Sequence, residues 1–431
     1  MKTLKRRGTI YMKGELEVPG DKSISHRAVI LGSIANGITK VENFLDSEDC
    51  MRTVEAFRSM GVSITTKGTF LEIEGKGLSG LLEPLEPLYF GNSGTTARLM
   101  IGLLAGLPFS TVVYGDVSLT NRPMDRVITP INKMGATVLG RNESSYLPLA
   151  LKGGNLEGIT YELPVKSAQV KSGILLAGLQ AKGTTRVIEQ QQTRDHTERM
   201  LKAFGANIEV SGNGIQIDAS KSLLGTDVYV PGDISSAAFM LSAAAIIPGS
   251  NVTVKKVGIN KTRIGFLEVL QKMGANISIS NERVLSGEDI GDVQITYNQL
   301  TGVVVEGEII PRLIDEIPII ALLATQAEGN TIIRNAEELR VKETDRIAAV
   351  VNVLRTMGAN IEATDEGMII KGKSSLKGGS VSAYQDHRIA MMIVIASLIS
   401  EQDVTIDDIS SISISYPRFL DDLESILKNN S

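Results

Sequence analysis

The stretch KSISHRAVILGSIA (22–35) begins with cationic and hydroxyl side chains and continues as an almost unbroken apolar run, and the same arrangement returns five more times. The copies read NSGTTARLMIGLLAG (92–106), SAQVKSGILLAGLQ (167–180), DISSAAFMLSAAAI (233–246), DEIPIIALLATQA (315–327) and DHRIAMMIVIASLI (386–399). Beyond its first turn each is apolar nearly all round, the pattern of a helix buried on every side. Their starts fall 66 to 82 residues apart. A second marker runs in step. SMGVSI, KMGATV, AFGANI, KMGANI and TMGANI place Gly61, Gly135, Gly205, Gly274 and Gly358 at intervals of 69 to 84 residues. Each closes an amphipathic segment such as ERMLKAFGA or FLEVLQKMGA, where a left-handed C-cap favours glycine. Alternating β-branched runs broken by turn residues follow, as in NIEVSGNGIQID, and predict strand–turn–strand. A mixed α/β module of roughly 70 residues is therefore repeated about six times. Six such modules can aim six helix N-termini, which are anion-binding ends, at one place.

Six modules could stack as one solenoid or close as two domains of three. Val18-Pro19-Gly20-Asp21 and Val230-Pro231-Gly232-Asp233 are near copies, each just before a buried helix, with three modules between them. Proline stiffens a strand exit and glycine permits the sharp turn. Read as hinges, they predict an α/β (mixed α+β) fold of two three-module domains. Residues 1–19 and 233–431 form one, 20–232 form the other, and the chain crosses between them twice. Read as ordinary loops, they carry no such meaning.

A net charge of -5 argues against general nucleic-acid binding, which needs a basic surface. Cys50 is the only cysteine, so no intramolecular disulfide is possible. The start, MKTLKRRGTIYMKGELEVPG, lacks the apolar stretch of a secretory signal. No apolar run reaches the roughly 18 residues that span a bilayer. The expectation is a cytoplasmic protein with no nucleic-acid or membrane partner, and a monomer.

Polar residues concentrate at the helix starts. Lys22, Ser23 and Arg27 open the first buried helix, and Asn92, Gly94 and Arg98 lie in a glycine-rich turn that opens the second. That turn is neither a Walker A sequence nor a dinucleotide fingerprint. Arg122, in Asn121-Arg122-Pro123, suits bidentate anion binding, or is an ordinary surface arginine. Ser167 and Gln169 start the third buried helix, and Thr193–Glu198 (TRDHTE) starts the amphipathic helix after it, partly as a capping box. Asp315 and Glu316 open the fifth. Arg340–Arg346 (RVKETDR) includes Lys342, Glu343 and Arg346, and by default such a run is a solvated helix face. Asp386-His387-Arg388 opens the sixth. An acidic chain that gathers Lys22, Arg27, Arg122, Arg194, Lys342, Arg346 and Arg388 into a cleft would focus a ligand with more than one phosphate or carboxylate. Asp315 and Glu343 offer proton transfer. No cluster has zinc-ligand spacing, so the expectation is chemistry with no metal and no cofactor.

The stretches PGDKSISHR (19–27), GNSGTTAR (91–98), NRPM (121–124), SAQVKSGILLAGL (167–179), TRDHTE (193–198), RVKETDR (340–346) and DHRIAM (386–391), in this order, resemble the 5-enolpyruvylshikimate-3-phosphate synthase family of enolpyruvyl transferases. The resemblance runs over essentially the whole chain. It implies two domains of three βαβαββ units that close on substrate. It implies transfer of the enolpyruvyl group of phosphoenolpyruvate to the 5-hydroxyl of shikimate 3-phosphate. Carried over motif by motif, Lys22, Ser23, Arg27, Ser167, Gln169, Arg194, Asp315 and Lys342 should bind shikimate 3-phosphate. Lys22, Gly94, Arg122, Gln169, Arg346 and Arg388 should bind phosphoenolpyruvate. Asp315 should accept the hydroxyl proton, with Glu343 and Lys22 as candidates for protonating the methylene carbon.

The chain departs from the family pattern in places. Many members carry a lysine shortly before the C-terminal aromatic-proline pair, where this chain has Ile414-Ser415-Tyr416-Pro417. Ala168 and Arg194 match one branch of the family, and that branch often has alanine where this chain has Gly94. The expectation is that Gly94 leaves room for glyphosate. The sister enzyme acting on UDP-N-acetylglucosamine is an alternative, although it usually carries a reactive loop cysteine and Cys50 has acidic neighbours, which raise a thiol pKa. A non-catalytic scaffold for phosphate ligands is a second alternative.

Overall fold

The computed structural model describes residues 1–429. The chain divides into two compact units. One, the N-proximal unit, is Gly20–Val230 with the short segment Leu285–Glu288. The other, the C-terminal unit, takes Met1–Pro19, Pro231–Val284 and the chain from Asp289 onward. Two details differ from the boundaries expected above. The return falls after Val230 rather than Gly232, because the Gly232 N–H bonds to the Lys256 carbonyl within the C-terminal unit. Leu285–Glu288, a hairpin tip expected in the 233–431 domain, groups with the N-proximal unit, where the Tyr229 N–H donates to the Ser286 hydroxyl at 2.9 Å. The tip is held there as well by the buried Glu288, whose Oε1 lies 2.8 Å from His196 Nδ1.

Each unit repeats one sheet plan. In the N-proximal unit, Thr160–Glu162 runs parallel to Thr184–Ile188, which pairs antiparallel with Gly214–Asp218, itself in a hairpin with Asn207–Ser211. Leu88–Tyr89, Ser110–Tyr114, Tyr146–Lys152 and Thr137–Gly140 follow the same order. The remaining sheet takes its parallel edge, Val228–Tyr229, from the far end of the unit, which closes the module ring through the chain itself. The C-terminal unit has a five-stranded, a four-stranded and a three-stranded sheet. Its last module is shortened. Gly379–Val381 and Val404–Ile406 are completed by Lys2–Leu4 instead of a hairpin. This is why the sixth copy lacks the glycine marker found in the other five.

The six apolar segments are helices Lys22–Ile34, Gly94–Leu104, Ala168–Gly178, Ile234–Ile246, Ile317–Gln326 and His387–Ser397. Every residue of Ile234–Ile246 is buried, as an all-round apolar pattern demands. Aspartate or serine side chains cap five of the six by accepting first-turn N–H groups, and Glu316 stands at the sixth cap without doing so. All five marker glycines have positive φ, from 84° at Gly61 to 107° at Gly135. Each unit has its own apolar core. Among the described residues no helix is long and apolar enough to cross a membrane.

Helices Gly94–Leu104 and Ala168–Gly178 approach so closely that a Cβ on Gly102 would lie 2.0 Å from the Gly173 carbonyl oxygen. Gly102→Ala should therefore destabilise the protein by about 1–3 kcal/mol through overpacking. In thermal denaturation this reads as a fall in Tm of about 2–4 °C per kcal/mol. An unchanged Tm would contradict the close approach.

Candidate active site

In the N-proximal unit the N-terminal turns of three buried helices are tied together by side chains. The His26 Nδ1 lies 2.8 Å from the Thr53 hydroxyl, which lies 2.8 Å from the Thr96 hydroxyl, which in turn bonds Ser93 Oγ at 2.7 Å. Burial, then the charges of Lys22 and Arg27, push the His26 pKa well below its ordinary value, so this histidine is neutral and structural. The third helix joins through Gln169, whose Oε1 accepts from Arg98 Nη1 at 2.7 Å and whose Nε2 donates to the Thr95 hydroxyl at 2.9 Å. Arg98, which ends the glycine-rich turn and has no binding role expected from the sequence, is thereby part of the site.

Arg27 is the centre of this set. It is 4% exposed. Its Nε donates to Thr197 Oγ1 at 2.6 Å, Nη2 to Ser172 Oγ at 2.7 Å and Nη1 to the Ser23 carbonyl at 2.8 Å. All three acceptors are neutral. Burial pushes the guanidinium pKa down to about 10, the nearby Glu198 and Asp21 offsetting only part of that and Arg194 adding to it. A buried cation held by neutral oxygens is a strong anion site, because a bound anion relieves the desolvation penalty. Ser23 contributes its carbonyl, and the cap belongs to Asp21. Lys22, partly exposed, pairs with the buried Asp49. Arg122 is 8% exposed and so is no ordinary surface arginine; its Nη2 donates to Asn92 Oδ1 at 2.6 Å. Gly94 begins the second helix between two guanidiniums. A Cβ there would lie 3.0 Å from Arg98 Nη1 and 3.2 Å from Arg122 Nη1. Ser167 caps the third helix, and Arg194 is half-buried in the loop before His196–Ala203.

The capping box expected at TRDHTE is absent. Asp195 makes no cap bond and pairs with Arg199, while Glu198 turns to the buried Lys171. An ammonium outcompetes a backbone N–H for a buried carboxylate.

The C-terminal unit holds a second set. Arg346 is 1% exposed and is gripped by carboxylates. Its Nε donates to Asp386 Oδ2 at 2.8 Å, Nη2 to Glu343 Oε2 at 2.6 Å and Nη1 to Asp315 Oδ1 at 3.3 Å. Burial alone would lower its pKa; Asp386, Glu343 and Asp315 outweigh burial and raise it. Arg388 Nη2 lies 3.9 Å from the other Asp315 oxygen. Lys342 sits in the turn after the short 3-10 helix Glu337–Val341. Burial lowers its pKa although Asp315 and Glu338 oppose the shift. RVKETDR is thus no solvated helix face. It is a turn that delivers Lys342 and Glu343 and starts a helix with a buried arginine. Glu316, one residue from Asp315, accepts from Ser235, joining the starts of the fourth and fifth helices. Asp386, missed as a site residue, caps the sixth helix and orients Arg346 with the same carboxylate.

The structure therefore gathers Lys22, Ser23, Arg27, Gly94, Arg122, Ser167, Gln169 and Arg194 on one unit. It gathers Asp315, Lys342, Glu343, Arg346 and Arg388 on the other. Ile414 is half-buried at the end of the Ser410–Ile414 turn and supplies no cation. Cys50 is fully buried, and burial more than its acidic neighbours pushes its thiol pKa up, so it is no reactive thiol.

Comparison with known proteins gives a consistent picture. The sequence model of the family described as EPSP synthase (3-phosphoshikimate 1-carboxyvinyltransferase) matches residues 7–423. A 3-phosphoshikimate 1-carboxyvinyltransferase of Oceanobacillus iheyensis is 58% identical over 97% of both chains. One of Bacillus cytotoxicus is 54% identical over 96% of this chain and 98% of its own. Among solved structures, the EPSP synthase of Acinetobacter baumannii superposes with a TM-score of 0.88 at 43% identity, covering 99% of each chain. The enolpyruvyl transferase NikO of Streptomyces tendae shares the fold, with a TM-score of 0.80 at 18% identity over 99% of this chain and 98% of its own. By sequence and by fold, the chain belongs to the EPSP synthase (3-phosphoshikimate 1-carboxyvinyltransferase) family.

Proposed function

We propose that this protein transfers the enolpyruvyl group of phosphoenolpyruvate to the 5-hydroxyl of shikimate 3-phosphate, giving 5-enolpyruvylshikimate 3-phosphate and inorganic phosphate. The observation that carries the reading is Arg27, buried and held by neutral oxygens of three helices, Lys22–Ile34, Ala168–Gly178 and His196–Ala203. Such a group calls for a substrate anion. With Ser23, Ser167, Gln169, Arg194 and Lys342 it binds the phosphate, hydroxyls and carboxylate of shikimate 3-phosphate. Lys22, Gly94, Arg122, Gln169, Arg346 and Arg388 bind phosphoenolpyruvate. Every group with a role comes from one chain, so a monomer suffices, and a cytoplasmic enzyme acting on small anions fits an acidic chain without affinity for nucleic acid.

The chemistry follows from the groups. Asp315 removes the proton of the 5-hydroxyl, and the oxygen attacks C2 of phosphoenolpyruvate. A proton from Glu343 or Lys22 reaches C3, giving a tetrahedral adduct that bears both carboxylate and phosphate. Loss of a C3 proton then expels phosphate and restores the double bond. Fixed guanidiniums stabilise the adduct without reorganising. Arg346 and Arg388 face Asp315 in this structure. A donor carboxylate would be drawn to the same guanidiniums, which sets the donor beside the base.

Phosphate release should require both phosphoenolpyruvate and shikimate 3-phosphate, and UDP-N-acetylglucosamine should not replace the latter. Asp315→Ala should slow it by about 10²–10⁴-fold, the usual contribution of a general base. Release with the nucleotide sugar alone would instead assign the sister reaction. Binding of shikimate 3-phosphate without turnover would indicate a scaffold.

Burial makes Lys342 lose its proton at a lower pH than an ordinary lysine does. The value of kcat/KM for shikimate 3-phosphate should therefore fall as pH rises through that lowered pKa. Lys342→Arg, which stays charged, should move the alkaline limb upward in a pH profile; an unmoved limb would exclude Lys342.

A methyl group at position 94 would press on Arg98 and Arg122. Gly94→Ala should raise the inhibition constant of glyphosate more than the KM of phosphoenolpyruvate. Equal inhibition of both forms would remove Gly94 from the donor site.

A further inference from the structure

Lys171 lies one turn into the Ala168–Gly178 helix and has no exposed surface. Its Nζ is 2.9 Å from Glu189 Oε2 and 2.6 Å from Glu198 Oε1. This triad has no evident place in folding. From Gly173 onward the helix is apolar, and an aliphatic side chain at position 171 together with neutral partners would fill the site without burying three charges. Its neighbours give it a purpose. Glu189 and Glu198 bracket the loop that carries Arg194, and Glu189 Oε1 also receives the Thr193 N–H at 3.2 Å and hydroxyl at 2.5 Å. The residues next to Lys171 and Glu198 are Ser172 and Thr197, whose hydroxyls lie 2.6 Å apart and together receive Arg27.

Charge points the same way. The Glu198 carboxylate is close enough to Arg27 to act on it, and its Oε2 has no hydrogen-bond partner. Without Lys171, Glu198 would be drawn to Arg27 or Arg194, the cations that a substrate anion needs.

We propose that Lys171 is a positioning residue for the shikimate 3-phosphate site: by holding Glu189 and Glu198 it fixes the Arg194 loop and the Ser172–Thr197 clamp on Arg27, and keeps both carboxylates off those arginines. The proposal rests on the function assigned above. Lys171 touches no substrate and takes no part in the proton transfers.

The test compares wild type with Lys171→Met and with the neutral triple variant Lys171→Met/Glu189→Gln/Glu198→Gln, which leaves no unpaired buried charge if the single variant folds poorly. Steady-state kinetics, calorimetric binding of shikimate 3-phosphate and Tm are measured for each. The expected result is a KM and Kd for shikimate 3-phosphate raised about tenfold, equivalent to about 1.4 kcal/mol. The KM for phosphoenolpyruvate at saturating co-substrate and kcat should stay within about twofold of wild type. The triple variant should recover Tm but keep part of the raised KM. Wild-type affinity in the folded triple variant, or a loss confined to Tm and active fraction, overturns the proposal. Failure of the wild-type protein to bind shikimate 3-phosphate overturns the function on which it rests; unaltered binding in the variants overturns the proposal alone.

Discussion

The placement of buried guanidinium groups near the N-terminal ends of helices is the constraint on which the rest of this protein depends. A buried Arg27 or Arg346 is tolerable only where its donors are met, and apolar helix interiors offer no acceptors. Helix starts do. Their capping residues, carbonyls and hydroxyls are polar already, because the first-turn N–H groups need partners. Once the arginines are committed to those ends, the helix starts within each unit must come together, and the sheets and amphipathic helices are arranged around that requirement.

The two units meet the requirement differently, and the difference has chemical meaning. In the N-proximal unit Arg27 is held by a carbonyl and two hydroxyls, so its charge remains available. Ser172 and Thr197 orient it, while the acidic groups nearby are drawn to Lys171. In the C-terminal unit Arg346 is met by three carboxylates, and its charge is balanced inside the protein. The first arrangement favours tight binding of an anion. The second fixes the guanidinium in place, since three carboxylates from three segments orient it.

Much of this was legible in the residues. The six apolar segments became six buried helices because an all-round apolar pattern has no stable solvent-facing solution. The five marker glycines adopt positive φ because that is where a left-handed cap excludes other residues. The sixth module has no such glycine, and only the structure shows that its sheet is completed by Lys2–Leu4 instead of a hairpin. Local rules failed where a tertiary partner outcompeted a local one. Glu198 is spaced for a capping box and joins Lys171 instead. RVKETDR has the composition of a solvated face, yet Arg346 is buried because Asp386, forty residues on, can meet it. Arg98 and Asp386 stand at helix starts in the sequence but carry no assigned role there, since their partners, Gln169 and Arg346, are distant in sequence.

The sequence by itself determined the module, its number of copies, the burial of the helices and the family, since these rest on periodicity, on glycine chemistry and on ordered motifs carried by contiguous residues. The tertiary structure alone decided which cations keep their charge free and which are neutralised, where Leu285–Glu288 lodges, and that a lysine inside an apolar helix anchors two carboxylates. The physical reason is common to all three. Polar and charged groups are settled by partners that folding brings together from far along the chain, and no local spacing records who those partners will be.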